Sequence, residues 1–354
     1  MNNLVDNLNY FRKLLHPKTK IMAMVKAFSY GLGTYDVAKL FEDHGVQYLG
    51  VANTYEGIEL RKAGIKMPIM VMKPEVESFD LVQEYDLTPA LFSLFSIQKL
   101  MDTLDNSKPI VISLKIDTGM HRLGFDEKEI PELIQLLKQH PFLKIESIFS
   151  HLAASDDLVH NDFTLGQLKK YEEMSASIAA HFNYPIEQHV LNSNGIINYN
   201  AFQFDMVRLG IGLYGVCSEP MVQQELKSVS TLKSKIAQIK HLKKGETIGY
   251  GRVGVAQEAL KIATIPVGYA DGLSRKLSNA NWEMMVNNKK APIIGNVCMD
   301  MVMLDVTGIN CQEGDDAFIF SAQNTISEMA KRIGTIPYEI LTSYSPRVKR
   351  IFLS

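Results

Sequence analysis

The residues able to do chemistry in this chain follow short apolar runs. Lys26 comes directly after Ile21–Val25 and ahead of a turn holding Tyr30, Gly31 and Gly33. A lysine at a strand end is partly out of water. Desolvation lowers an ammonium's pKa, so such a lysine can act as a nucleophile or Schiff-base former. Lys115-Ile116-Asp117 ends a second run, with Arg122 close behind. His151 ends a third. His189 lies in a fourth, before Ser193-Asn194-Gly195, and Arg208 in a fifth, before Gly210-Ile211-Gly212. Singly, each has a structural reading: a hydrogen-bonded histidine, a salt-bridged arginine, turn-forming serine and asparagine. If the runs are strands of one sheet, two lysines, two arginines and two histidines share one rim. So much like charge is costly unless an anionic ligand compensates it, and a phosphate and a carboxylate would do so. The small residues at 193–195 and 210–212 let backbone N–H groups approach a phosphate. An aldehyde cofactor with a phosphate and a lysine partner is pyridoxal phosphate. A barrel holding a phosphorylated sugar through a Schiff base on Lys26 fits the same residues.

The elements that must position them alternate. Strand candidates are Ile21–Lys26, Tyr48–Ala52, Pro68–Met72, Thr88–Phe92, Ile110–Asp117, Ile145–Ser150, Gln188–Asn192 and Met206–Gly210. Helical spacing falls at 2–15, 35–45, 54–63, 76–85, 94–104, 127–139 and 162–182. This α/β alternation predicts a (β/α)8 barrel, whose active site lies at the C-terminal ends of the strands. Residues 226–306 become strand-rich with Gly/Asn/Lys turns, and no helical pattern returns until Ser327–Ile333. Two domains are therefore expected: a barrel over 1–222, and a mostly β C-terminal domain over 223–354.

The formal net charge of −2 gives no electrostatic case for nucleic acid or an anionic membrane. No apolar run has the length of a membrane span, and the N-terminus lacks the pattern of a secretory signal. Cys217, Cys298 and Cys311 form no CxxC pair, so no metal set is expected and a reducing, cytoplasmic setting is.

Nine motifs in order, VKAFSYGLG, KIDTGMHRLGF, FSHLAASD, HVLNSN, MVRLGIGLYG, IGYGRV, VGYADG, IGNVCMD and TSYSPRV, give the chain a resemblance to alanine racemases, fold-type III pyridoxal-phosphate enzymes. The resemblance implies interconversion of L- and D-alanine by two bases, supplying D-alanine for peptidoglycan. Lys26 would bind the cofactor covalently and serve one face of the substrate α-carbon. Tyr250, from the partner subunit of a homodimer with shared active sites, would serve the other. Tyr30, Ser193, the backbone of Gly210 and Ile211, and Tyr344 would hold the phosphate. Arg208 would face the ring nitrogen, with His151 stacked near the ring and supporting it. Arg122 and the N–H of Met299 would take the substrate carboxylate, and Lys115, as a carbamate, would orient Arg122. His189 would sit behind Tyr250, and Tyr269 would line the entrance, with Asp300 nearby. The types make sense. A racemase needs proton-handling groups on opposite faces. An arginine can only donate, which leaves the ring nitrogen unprotonated and the ring a weaker electron sink.

Two other readings share the plan: a fold-type III amino-acid decarboxylase, and a catalytically weak cofactor-binding module. Three departures from the family pattern stand out. His121 and Leu32 replace a common glycine and a common histidine, and the first helix begins almost at Met1. The last suggests an upstream strand or a fused domain, such as a cell-wall ligase.

Overall fold

The computed structural model describes residues 1–105 and 108–353. Two compact units separate: residues 1–29 with 33–227, and residues 30–32 with 228–353.

The first unit is built on eight parallel strands: β1 (Lys20–Met24), β2 (Tyr48–Val51), β3 (Ile69–Val71), β4 (Thr88–Leu91), β5 (Ile110–Lys115), β6 (Leu143–Phe149), β7 (Glu187–His189) and β8 (Met206–Leu209). They run in the order β7-β6-β5-β4-β3-β2-β1-β8, with Met22 of β1 opposite Arg208. The ring closes between β7 and β8, where the Asp205 N–H donates to the Gln188 carbonyl (3.2 Å) and the Arg208 N–H to that of Leu191 (2.9 Å). β2, β3 and β8 are buried along their whole length, as expected of parallel strands covered on both faces. Seven helices of the expected series are present, those near 76–85 and 127–139 each entered through a 3-10 turn. The first helix, Asn2–Leu14, buries Leu4, Leu8 and Phe11 at helical spacing. Asn7 on the same face is fully used: its amide donates to the carbonyls of Leu213 (3.0 Å) and Lys227 (2.9 Å) and accepts the Lys227 N–H (2.8 Å).

Strand seven is shorter than the sequence suggests. Its pairing ends at His189, and Asn192 caps a short helix, Ser193–Asn198, by accepting the Gly195 N–H at 2.8 Å. Val190 and Leu191 beyond it are buried, and Leu191 still accepts the Arg208 N–H, but the regular ladder does not extend to them.

The second unit holds β9 (Leu232–Lys235), β10 (Gln238–Leu242), β11 (Thr247–Ile248), β12 (Gly254–Val255), β13 (Leu260–Ile265), β14 (Glu283–Val286), β15 (Lys289–Ile294), β16 (Val302–Asp305) and β17 (Asp316–Phe320). Seven form an antiparallel sheet in the order β10-β13-β16-β15-β14-β17-β9; β11 and β12 form a separate ribbon. Two helices follow, Ile326–Ile333 and Pro337–Ser343. No helix among the described residues is long and apolar enough to cross a membrane.

Candidate active site

Lys26 lies two residues beyond β1, at the start of a left-handed turn. Ala27, Phe28, Ser29 and Tyr30 have φ of 52°, 56°, 50° and 52°. Side chains crowd the following carbonyl in that region, at about 1–2 kcal/mol per residue. Other contacts must hold the turn. The Val25 carbonyl accepts the Ser29 N–H (3.0 Å), and the Phe28 carbonyl accepts that of Gly33 (2.9 Å). The Glu56 carboxylate accepts the Ala27 N–H (2.7 Å). Burial, then Arg122 and Arg208, push the Lys26 ammonium below its usual range, and Glu56 opposes them.

Arg208 is the most heavily used side chain of the barrel. Nη1 donates to His189 Nδ1 (2.7 Å) and the His189 carbonyl (3.1 Å). Nη2 donates to the carbonyls of Ser150 (2.6 Å) and Val190 (3.1 Å) and to His151 Nδ1 (3.2 Å). Its Nε–H has no acceptor among the described residues. Burial lowers the guanidinium to about 10, which leaves it charged at neutral pH.

An arginine only donates, so both histidines accept at Nδ1 and carry their proton on Nε2. Burial and the Arg208 charge hold both imidazoles well below their usual range, hence neutral. The order then runs outward: His189 Nε2–H donates to Ser147 Oγ (3.1 Å), which shares a hydrogen bond with Ser113 Oγ (2.8 Å). His189 also stacks on Phe149, with centroids 5.1 Å apart. Arg208 and Lys115 lie over the Phe149 ring, at 5.2 and 6.0 Å.

Lys115, only 7% exposed, is lowered to about 8 by burial, Arg122 and Arg208. Arg122 follows a loop tied to Asp117, which accepts the N–H groups of Gly119 (2.9 Å), Met120 (3.1 Å) and His121 (3.1 Å). His121, where a glycine is common, takes φ of 53°, its ring 3.3 Å from the same carboxylate.

The 193–195 and 210–212 segments meet. Ser193 Oγ accepts the N–H groups of Gly210 (3.0 Å) and Gly212 (3.1 Å). A Cβ on Gly212 would lie 2.5 Å from the Phe11 ring, so no larger residue fits this turn. Residues 210–216 then coil, with Leu213 N–H donating to Gly210 O, and Tyr214 N–H to Ile211 O.

The other expected residues belong to the second unit. Tyr30 and Tyr344 are buried, and burial raises both phenols, so they stay protonated and can donate. Gly31 beside Tyr30 cannot carry a side chain, since a Cβ would meet the Leu341 carbonyl at 2.1 Å. Arg350 ties the carbonyls of Gly31 (3.0 Å) and Tyr344 (2.9 Å) together. Tyr269 opens a turn whose Asp271 pairs with Arg347 (2.7 Å), and Arg347 also holds Asp300 (2.6 Å). Asp300 thus serves a brace. Tyr250 is 75% exposed and Met299 54% exposed in the single chain.

The barrel thus gathers Lys26, Lys115, Arg122, His151, His189, Ser193, Arg208, Gly210 and Ile211. The sequence reading passed over Glu56, Ser147, Arg347 and Arg350. Glu56 carried a signal, Asn53-x-x-Glu56, which reads as an ordinary helix start.

This donor set fits pyridoxal phosphate. It offers a lysine of lowered basicity, a buried arginine with one donor to spare, and a serine-glycine turn in which Ser193 Oγ accepts two backbone N–H groups and keeps its own O–H to donate. Comparisons point the same way. Residues 1–218 match the family model described as alanine racemase, N-terminal domain, and residues 229–352 that of the C-terminal domain. Alanine racemase 2 of Caldanaerobacter subterraneus subsp. tengcongensis is 36% identical, covering 100% of this chain and 93% of the relative. A solved alanine racemase of Clostridium difficile 630 superposes with a TM-score of 0.91 at 34% identity, covering 98% of this chain and 92% of that one. One from Bartonella henselae with covalently bound pyridoxal phosphate superposes with a TM-score of 0.90 at 29% identity, covering 99% and 97%.

Proposed function

The chain belongs to the alanine racemase family, and on that premise we propose how its own residues interconvert L- and D-alanine. Pyridoxal 5′-phosphate, the family's cofactor, supplies a covalent anchor for the substrate amine and a conjugated ring that loosens the α-hydrogen. Lys26 holds that cofactor and handles the proton on the D face. Tyr250, from a partner subunit, handles the L face; its high exposure in the single chain supports a role completed by a second copy.

The observation that carries this reading is Arg208. All its Nη donors are spent on the barrel, and its spare Nε–H suits an unprotonated ring nitrogen. A donor charged at neutral pH there would keep that nitrogen from taking a proton, which would favour return of the α-proton over transamination.

Ser193, the Ile211 N–H, the Gly210 N–H on leaving Ser193 Oγ, and the protonated phenols of Tyr30 and Tyr344 take the phosphate. Arg122 and the Met299 N–H take the substrate carboxylate, and Tyr269 lines the entrance. His151 supports Arg208, and so does His189, expected behind Tyr250: its two ring nitrogens are taken by Arg208 and Ser147, which leaves none for that tyrosine. Lys115, lowered to about 8, is partly neutral at physiological pH. Its free amine can add carbon dioxide and release a proton, turning a cation that repels Arg122 into a carbamate that orients it. We further propose a cytoplasmic homodimer that supplies D-alanine for peptidoglycan.

A D-alanine formation assay with added cofactor, run in parallel with serine, tests the function. Lys26→Ala should abolish racemisation and the yellow covalent chromophore. Because the equilibrium constant is one, Tyr250→Phe must lower kcat/KM equally in both directions. The two faces separate in exchange: in D2O the variant should still exchange the α-hydrogen of D-alanine and lose that exchange for L-alanine. Retention of both exchanges would refute the two-base assignment.

A further inference from the structure

We propose that Glu56 is a positioning residue for Lys26, fixing the backbone from which that lysine projects. The inference rests on the reading of Lys26 given above.

Glu56 is the third residue of the helix Thr54–Lys62, capped by Asn53, whose side chain accepts the Glu56 N–H at 3.0 Å. A glutamate at this position commonly folds back onto the N–H of the cap residue itself. Here the carboxylate spans two strand ends instead. Oε2 accepts the Ala52 N–H just beyond β2 (2.6 Å), and Oε1 accepts the Ala27 N–H just beyond β1 (2.7 Å).

The place matters. The ladder between β1 and β2 ends with Met24 opposite Gly50 and one last bond, Val25 N–H to Gly50 O (2.9 Å). Past it the two chains diverge, and the carboxylate bridges them with two charge-assisted bonds. The Ala27 N–H belongs to the peptide plane that starts at the Lys26 carbonyl. Fixing that plane fixes Lys26 ψ, the direction of its side chain, and the first residue of the left-handed turn. Among the described residues no other carboxylate acts on Lys26; its charged neighbours are Arg122 after β5, Arg208 on β8 and Lys115 on β5, and the imidazole of His151 nearby is neutral. Glu56 therefore also sets the balance of charge around the lysine.

The experiment uses the full-length cofactor-loaded protein and its Glu56→Gln, Glu56→Asp, Asn53→Ala and Lys26→Ala variants. Visible absorbance is titrated against pH, and steady-state kinetics are measured. Glutamine keeps one acceptor and loses the charge. We expect the absorbance midpoint to fall by about half a pH unit or more on losing a nearby anion, and kcat to drop about tenfold through misplacement of the lysine. The KM for alanine should stay within about twofold, since Arg122 is untouched. Glu56→Asp, which retains the anion, should restore most of the midpoint. It also serves in place of glutamine should that variant not fold, and it should then lower kcat alone. Asn53→Ala loosens the helix start and should lower Tm without moving the midpoint or kcat.

A folded Glu56→Gln protein with wild-type midpoint and kcat overturns the proposal, as does an Asn53→Ala protein that reproduces its shifts. Lys26→Ala keeps the two failures apart. A covalent chromophore surviving in that variant would sink the reading of Lys26 itself, whereas its loss beside a silent Glu56→Gln would sink only the role of Glu56.

Discussion

The two ends of the barrel handle charge in opposite ways. At the N-terminal end of the strands, Lys20 pairs with Glu187, and the Tyr48 hydroxyl lies 3.2 Å from the Glu146 carboxylate. Burial raises Glu146, and the Tyr48 hydrogen bond opposes that shift. At the C-terminal end, Lys26, Lys115, Arg122 and Arg208 have no carboxylate within ion-pair distance among the described residues. Arg208 meets carbonyls and neutral imidazoles, and the lysines meet burial and the fields of Arg122 and Arg208, opposed in part by Glu56 at Lys26 and by Asp117 at Lys115. One end settles its charges internally and serves the scaffold. The other holds cationic charge in reserve, which is costly in the empty protein and is offset by an anionic ligand.

The largest break of this contrast comes from Arg208→Met. The carbonyls of Ser150 and Val190 and two Nδ1 atoms would lose their donor inside the barrel, and the His189 carbonyl would keep only the Ser150 N–H. A loss of about 3–5 kcal/mol by denaturant unfolding is expected, because buried acceptors are left unsatisfied. Racemisation should fall below detection. A variant as stable as the parent would mean that the guanidinium is not the organiser of that end.

Lys115→Met sharpens the contrast next. In the folded protein Lys115 releases its proton near pH 8, and in the unfolded chain only in the ordinary lysine range. Between those values the unfolded state binds more protons, so stability rises with pH there. In cofactor-free protein and carbon dioxide-free buffer, that rise should be about 3 kcal/mol, and Lys115→Met should flatten it. The same variant should raise KM for alanine about tenfold through loss of Arg122 orientation. A pH-stability curve unchanged by the substitution would place Lys115 in water.

Much of the barrel was legible because eight apolar runs must be buried and helical spacing separates them. The rim residues were legible because their types are costly without a ligand. What escaped was imposed by tertiary context. Ala27-Phe28-Ser29-Tyr30 contains no glycine, and nothing in those side chains announces a left-handed turn. Ser193-Asn194-Gly195 has the composition of a loop yet opens a helix, because Asn192 caps it. Glu56 looked like a helix-start glutamate, and only the adjacency of two strand ends shows what its carboxylate spans. The brace from Arg347 to Asp271 and Asp300 joins positions up to 76 apart in sequence, a pairing that spacing cannot suggest.

The smallest effect is expected where the charges are already paired. Lys20→Met removes the cation beside Glu187, whose Oε2 is buried without a partner, so an uncompensated carboxylate remains. Lys20 is partly exposed, and solvent screens the pair, so the cost should be about 0.5–1 kcal/mol. Adding Glu187→Gln should recover part of that loss, because the double variant no longer strands a charge; the difference between single and double variants measures the coupling. Neither change touches the opposite end, so racemisation should stay within about twofold of the parent, as expected for the scaffold face of a barrel. A tenfold drop in kcat at constant stability would show that charge at the bottom of the barrel is felt at the top. The division between a self-compensated end and a ligand-compensated end would then fail.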